Sequence, residues 1–233
     1  MRTLKFFVAL LLLPSTVALT RAFIDLLRDL SGGTVHGWSW SVWGLLIGFL
    51  LWLFLYAVSP RPFRTYVLAH ECTHALWGWA MGAKIKGMKV GRDGGYVRLT
   101  KSNFLITLAP YFFPFYTVCV MLMHAGLSWF YDLEPYEPVW MGWIGLAWGF
   151  HVTFTWSMLH RRQPDIRDQG WLFSLVIIYC FNLIGVGCWV VIVSAQPWAD
   201  WGIHVWNELA FVYTFIAAQL MAVAEQVWAS AAR

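Results

Sequence analysis

YVLAHECTHALWGWAMGA, residues 66–83, is apolar enough to lie in a bilayer, yet it carries His70, Glu71 and His74. Ionisable groups are costly inside a membrane, and those that persist there are usually paired and functional. His70-Glu71-Cys72-Thr73-His74 fits the pattern HExxH. On an α-helix, residues four apart share a face, so two imidazoles can hold one zinc ion. Glu71 is displaced to the side of that face, from where it can reach a water on the metal and take its proton. A shared metal would offset the cost of three polar groups in an apolar helix.

The rest of the chain supports a membrane setting. Of 233 residues, 60% are hydrophobic and only 12% charged, against roughly 25% charged in a soluble domain. The 17 tryptophans suit interfacial anchoring. The net charge of +4 is modest, and the basic residues sit in short loops between apolar runs. This argues against nucleic acid as a partner and for a lipid bilayer. Cys72, Cys119, Cys180 and Cys188 all lie in apolar segments without a CxxC pair, and read as packed free thiols.

Runs free of Lys, Arg, Asp and Glu mark the candidate spans: 6–20, 30–60, 102–131, 138–160, 169–199 and, more weakly, 209–224. The first reads as a retained anchor rather than a cleaved signal. Between residues 84 and 101, KIKGMKVGRDGGYVRLTK turns basic. Its Asp93-Gly94-Gly95 lies between two β-type runs and predicts a hairpin. The fold class is therefore an all-α polytopic membrane protein with about six transmembrane or re-entrant helices and one β-hairpin, 84–101. Residues 1–60 form N-terminal anchor helices, 61–195 a membrane-embedded core, and 196–233 a C-terminal amphipathic or spanning helix.

Loop charges predict the topology. Arg2 and Lys5, Arg61 and Arg64, the hairpin lysines and arginines, and Arg161, Arg162 and Arg167 favour the cytoplasm, whereas YDLEPYEPV, residues 131–139, carries only acidic charge and favours the outside. Both flanks of the HExxH helix then want the same side. That helix is expected to be shallow, or to be followed by a returning hairpin in a protein-lined cavity. The N-terminus is expected in the cytoplasm, and the protein in the cytoplasmic (inner) membrane.

Catalytic zinc takes three protein ligands and keeps one position open. HRRQPDIRDQG, residues 160–170, lies on the side of His70 and supplies candidates for the third. Asp165 is preferred, at the entry to the 169–199 helix. Asp168, one turn on, is the alternative, and either aspartate can instead cap that helix. His160 is a weaker option. His124 and His151 read as hydrogen-bonding groups between helices. Asn182, mid-span in IIYCFNLIGVG, reads as an interhelical bonder or as a group that holds a substrate backbone.

Residues 65–190, and HECTHALWGWAMGAKIKGMKVGRDGGYVRLTKSNFLITLAPYFFP above all, resemble the site-2-protease-like intramembrane zinc metallopeptidases. In that family HExxH lies on a membrane-embedded helix, a β-hairpin follows, and an aspartate on a later helix completes the zinc site. The resemblance implies His70 and His74 as zinc ligands, Glu71 as catalytic base and Asp165 or Asp168 as third ligand. Two positions depart from the family: Thr73 stands where glycine is common, and Gln-Pro-Asp-Ile-Arg-Asp-Gln-Gly replaces the usual Asp-Gly signatures.

Cleavage needs an extended substrate, and strand addition to a hairpin edge would supply one. Tyr96, Val97 and Leu99 on the strand 95–100 are the candidate contacts. The expected function is that of a zinc metalloendopeptidase cutting a membrane-anchored protein near the cytoplasmic face, with zinc-bound water as nucleophile and Glu71 as base. The alternative is a non-proteolytic zinc-binding scaffold or regulatory protein on the same fold.

Overall fold

The computed structural model describes residues 2–32, 40–91, 94–161, 163–194 and 196–231. Arg92, Asp93 and Arg162, named above in the hairpin turn and the basic loops, lie outside them. Among the described residues the chain forms nine α-helices and one two-stranded sheet: α1 (Arg2–Gly32), α2 (Trp40–Val58), α3 (Phe63–Ala80), β1 (Ile85–Val90), β2 (Gly95–Leu99), α4 (Phe104–Leu108), α5 (Phe115–Leu127), α6 (Glu137–Leu159), α7 (Pro164–Gln169), α8 (Trp171–Ser194) and α9 (Trp198–Ala231). Short 3-10 turns at Ala109–Tyr111 and Glu134–Tyr136 precede α5 and α6.

Four helices, α1, α2, α8 and α9, are long and apolar enough to cross a membrane. The count rises to five if α4 with its 3-10 turn, and α5, bent by 81° at Phe112–Pro114, form one broken span. The expectation of about six counted re-entrant helices together with full spans. Neither α3 nor α6 joins the set, because histidines, a glutamate and an arginine dilute α3, and tryptophan, glycine and threonine dilute α6.

The chain divides into two compact units. Residues 1–35 and 170–233 form one, and residues 36–169 the other. These limits differ from the boundaries at 60 and 195, because α1 pairs with the distant α8 and α9 while α2 pairs with α6.

In the first unit α1 and α9 run antiparallel, joined by a polar ladder. Tyr213 donates to the Leu11 carbonyl at 2.7 Å, and its hydroxyl lies 2.8 Å from that of Ser15. Arg21 pairs with Glu208, and His204 Nε2 lies 2.7 Å from Asp29 Oδ2. These partners let both helices continue past their charge-free runs. Below the ladder, Ala22, Leu26, Val191 and Trp201 make a buried apolar cluster.

In the second unit α2 lies along α6 at very close range. Small residues permit such an approach in membrane helices. A Cβ added to Gly48 would fall 1.9 Å from the Gly142 carbonyl oxygen, and one added to Gly145 2.0 Å from that of Leu45. Trp52 then packs at tilted angles among Phe150, Phe154 and Tyr56, and its indole N–H donates to Thr153 Oγ1 at 2.9 Å. Gly145→Ala should force the pair apart, and overpacking of this kind costs about 1–3 kcal/mol or more. The thermal unfolding midpoint of the detergent-solubilised protein should fall accordingly; an unchanged midpoint would mean that the helices do not meet this closely.

The hairpin forms within the expected limits. β1 and β2 are antiparallel, with an irregularity between Ile85 and Gly87, and Val97 pairs with Met88. It packs on α3, which ends where Gly82 adopts φ +76°. That left-handed residue returns the chain by bonds from Gly82 N–H to the Trp79 carbonyl and from Ala83 N–H to the Gly78 carbonyl, both 2.8 Å.

Candidate metal centre

Phe63 to Trp77 contains neither glycine nor proline, and α3 runs through it unbroken. One turn separates His70 from His74, so their rings converge. Their Nε2 atoms are 3.1 Å apart, at an interplanar angle of 85°. Asp165 arrives from α7, a six-residue helix that starts at Pro164 and is parted from α8 by Gly170, at φ +96°. This corrects the expectation that Asp165 opens the long 169–199 helix. A left-handed glycine breaks the chain there, and the long helix begins only at Trp171.

Asp165 Oδ2 lies 3.2 Å from His70 Nε2 and 3.6 Å from His74 Nε2. A tetrahedral metal with ligands about 2.0–2.1 Å away needs ligand atoms roughly 3.3–3.4 Å apart. The three edges of 3.1, 3.2 and 3.6 Å straddle that value. Two imidazoles and one carboxylate thus form a group able to hold a metal ion. Burial acts to raise the Asp165 pKa, but hydrogen bonds with His70 and His74 outweigh it and hold the carboxyl well below the usual carboxylate range.

Outer partners orient all three groups. His74 Nδ1 is 2.8 Å from the Ile106 carbonyl oxygen, which leaves Nε2 as the ligand atom. That carbonyl is placed by α4, whose first turn is capped by the Asn103 side chain, accepting from Ile106 N–H at 2.9 Å. His70 Nδ1 is 3.1 Å from the Tyr66 hydroxyl. Tyr111, fully buried, donates to Asp165 Oδ2 at 3.2 Å. Tyr66 could have been sought one turn before His70. Tyr111, inside LAPYFFP, obeys no spacing rule, and only the 3-10 turn brings it to Asp165.

These donors fit a borderline divalent cation, and three protein ligands leave a coordination position open.

No protein-family model, curated protein or solved structure matches this chain. The chemistry of the site therefore rests on its own geometry.

The triad opens into a cavity of about 750 Å³ within the second unit. Glu71 lines it, 6% exposed, beside Val97 of β2. Tyr96, Val97 and Leu99 line the facing wall. The strand sits directly on α3: a Cβ added to Gly95 would lie 2.6 Å from the Lys89 carbonyl oxygen and 2.9 Å from Glu71 Cγ. Gly95→Ala should therefore lift β2 from α3, at about 1–3 kcal/mol, and leave metal binding intact, since His70 and His74 take their outer contacts elsewhere. A melting curve and a metal titration on one preparation would check this; an unaltered melt would count against the close seating of β2.

None of the other candidates is a member of the triad. Asp168 is exposed, with Oδ1 3.5 Å from Arg167 Nε. His160 Nδ1 donates to the Trp156 carbonyl at 2.8 Å. His124 packs edge-on to Trp140. Asn182 belongs to the first unit, where its amide donates to the Ile178 carbonyl at 2.8 Å. His151, on α6, has a buried Nε2 without a hydrogen-bond partner among the described residues.

Proposed function

We propose that this protein is an intramembrane zinc endopeptidase. It would cut a membrane-anchored protein near the cytoplasmic face of the inner membrane, in which it is itself a multi-pass protein. The observation that carries this reading is one cavity in which a His-His-Asp group, a buried glutamate and a strand edge face each other.

Zinc bound by His70, His74 and Asp165 would supply Lewis acidity and a water acidic enough to ionise near neutral pH. Glu71 takes the proton released as the peptide carbonyl is attacked. It then hands that proton to the departing amine. Its displacement from the histidine face suits both tasks, since the carboxylate flanks the triad without competing for the metal. Val67, Ile106 and Met158 offer apolar contacts to a substrate in the same cavity.

β2 presents the substrate. The sheet has two strands, so β2 has one edge without a strand partner. An extended peptide added there would place its backbone beside Glu71. Proline lacks the N–H such pairing needs. Val97→Pro or Leu99→Pro should reduce cleavage of a single-span substrate by an order of magnitude or more while zinc stays bound; full cleavage by both variants would remove the strand from the mechanism. Arg61, Arg64, Lys84 and Lys101, which flank α3 and the hairpin in the chain, and Arg161 in the cavity lining support a cytoplasmic-side opening. The direct experiment is incubation of the purified, zinc-loaded protein with tagged single-span membrane proteins in detergent, scoring new termini by mass spectrometry.

A further inference from the structure

A second, small space of about 20 Å³ adjoins α3, and Tyr66 and His70 line both it and the larger cavity. Thr73 and His151 also line the small space, with Phe113 and Phe150 among its apolar walls. That volume holds one water and nothing larger. Buried polar atoms seldom stay unpaired, and each exception calls for a physical explanation.

His151 Nε2 is buried and unpartnered among the described residues. Thr73 spends its only hydroxyl proton on the Ala69 carbonyl at 2.7 Å, so just its lone pairs remain to accept. Tyr66 depends on His70. The Nε2 of His70 faces His74 and Asp165. When that nitrogen gives its lone pair to a metal, a neutral imidazole carries its proton on Nδ1. Nδ1 then donates to the Tyr66 oxygen, 3.1 Å away, and the phenolic proton needs a new acceptor. With His151 Nε2 unprotonated, one donor and two acceptors belong to residues that border a space the size of one water.

We propose that a single buried water occupies this space, accepting from Tyr66 and donating to His151 Nε2 and Thr73 Oγ1. The chain His70–Tyr66–water–His151 holds His70 in the tautomer that leaves Nε2 free for the metal. Three hydrogen bonds are what a buried water typically makes. His151 is thus a positioning residue for the metal centre, acting through the water and Tyr66. Thr73, which stands where the resembled family commonly has glycine, supplies the third contact. The inference rests on the metal-binding part of the proposed function and not on hydrolysis.

The test uses the full-length protein in detergent, with Zn2+ competed against a chromophoric chelator. Outer-shell partners of metal ligands typically contribute about 10–100-fold in affinity. Tyr66→Phe and His151→Leu should each weaken zinc binding by about tenfold or more. The double variant should lose little more than the worse single, because both changes cut one chain. His151→Gln, whose amide oxygen can stand near the place of Nε2, should recover most of the affinity.

A second readout is independent of zinc affinity. A long-lived water should show a nuclear Overhauser effect to the Thr73 methyl group, and nitrogen-15 shifts should report an unprotonated His151 Nε2. A dry cavity, a protonated Nε2, or folded Tyr66→Phe and His151→Leu variants that bind zinc like the wild type would each overturn the proposal. If His151→Leu does not fold, Tyr66→Phe and the water signal decide. A protein that binds zinc and passes these tests but cleaves nothing would sink the peptidase reading alone.

Discussion

Glu71→Gln abolishes peptide cleavage and leaves the zinc content of the protein unchanged: this is the expected result with the largest effect. Glutamine keeps the size and hydrogen-bonding shape of the side chain, so the seating of β2 against Glu71 Cγ is preserved. It removes only the capacity to take and return a proton. General acid–base groups contribute about 10²–10⁴-fold, and in the proposed reaction one residue would serve both halves, so the loss should lie toward the upper end. Metal content should not move, because the group able to hold a metal is His70, His74 and Asp165 and does not include Glu71. The measurement is turnover of a cleaved single-span substrate beside zinc quantified by elemental analysis. A variant that still cleaves refutes the assignment of Glu71. A wild type that binds zinc and cleaves no membrane protein supports the scaffold reading, since a structural metal needs no base.

Asp165→Ala should release the metal, whereas Asp168→Ala should not. The two aspartates stand three residues apart on a six-residue helix, yet they differ sharply in surroundings. Asp165 Oδ2 is 3.2 Å from His70 Nε2 and takes a bond from Tyr111. Asp168 is exposed beside Arg167. Losing one of three protein ligands should cost more than the roughly 10–100-fold typical of an outer-shell partner, so affinity is expected to fall by at least about 100-fold. Asp168→Ala should stay within about twofold, as surface changes generally have small effects. Equal losses from both variants would sink the Asp165 assignment. Chelator competition reads both outcomes on proteins shown to be folded by circular dichroism.

Much of the local structure is legible in the sequence. The alternation in Tyr96-Val97-Arg98-Leu99 and the glycines before it predict a strand after a turn, and β2 forms at Gly95–Leu99. Charge-free runs located the apolar helices but misjudged their ends. α1 continues to Gly32 and α9 starts at Trp198, because Arg21, Asp29, His204 and Glu208 satisfy one another across the pair. A charge-free run marks what lipid tolerates, and a helix continues wherever its polar side chains find partners.

The site divides in the same way. HExxH by itself determined that two imidazoles share a face and that Glu71 stands beside it, since a 3.6-residue period leaves no other arrangement on a helix. Which carboxylate joins them was open, because Asp165 and Asp168 have similar sequence surroundings. Tertiary structure brought Asp165 to His70 through a short helix broken by Gly170. It also brought Tyr111 to Asp165, the Ile106 carbonyl to His74, and His151 to the small cavity beside Tyr66. Those contacts join residues 32 to 95 positions apart or depend on the packing of separate helices. Helical periodicity reaches only one or two turns along the chain, so the ligand pair was readable from sequence while its completion and its support depend on how the helices pack.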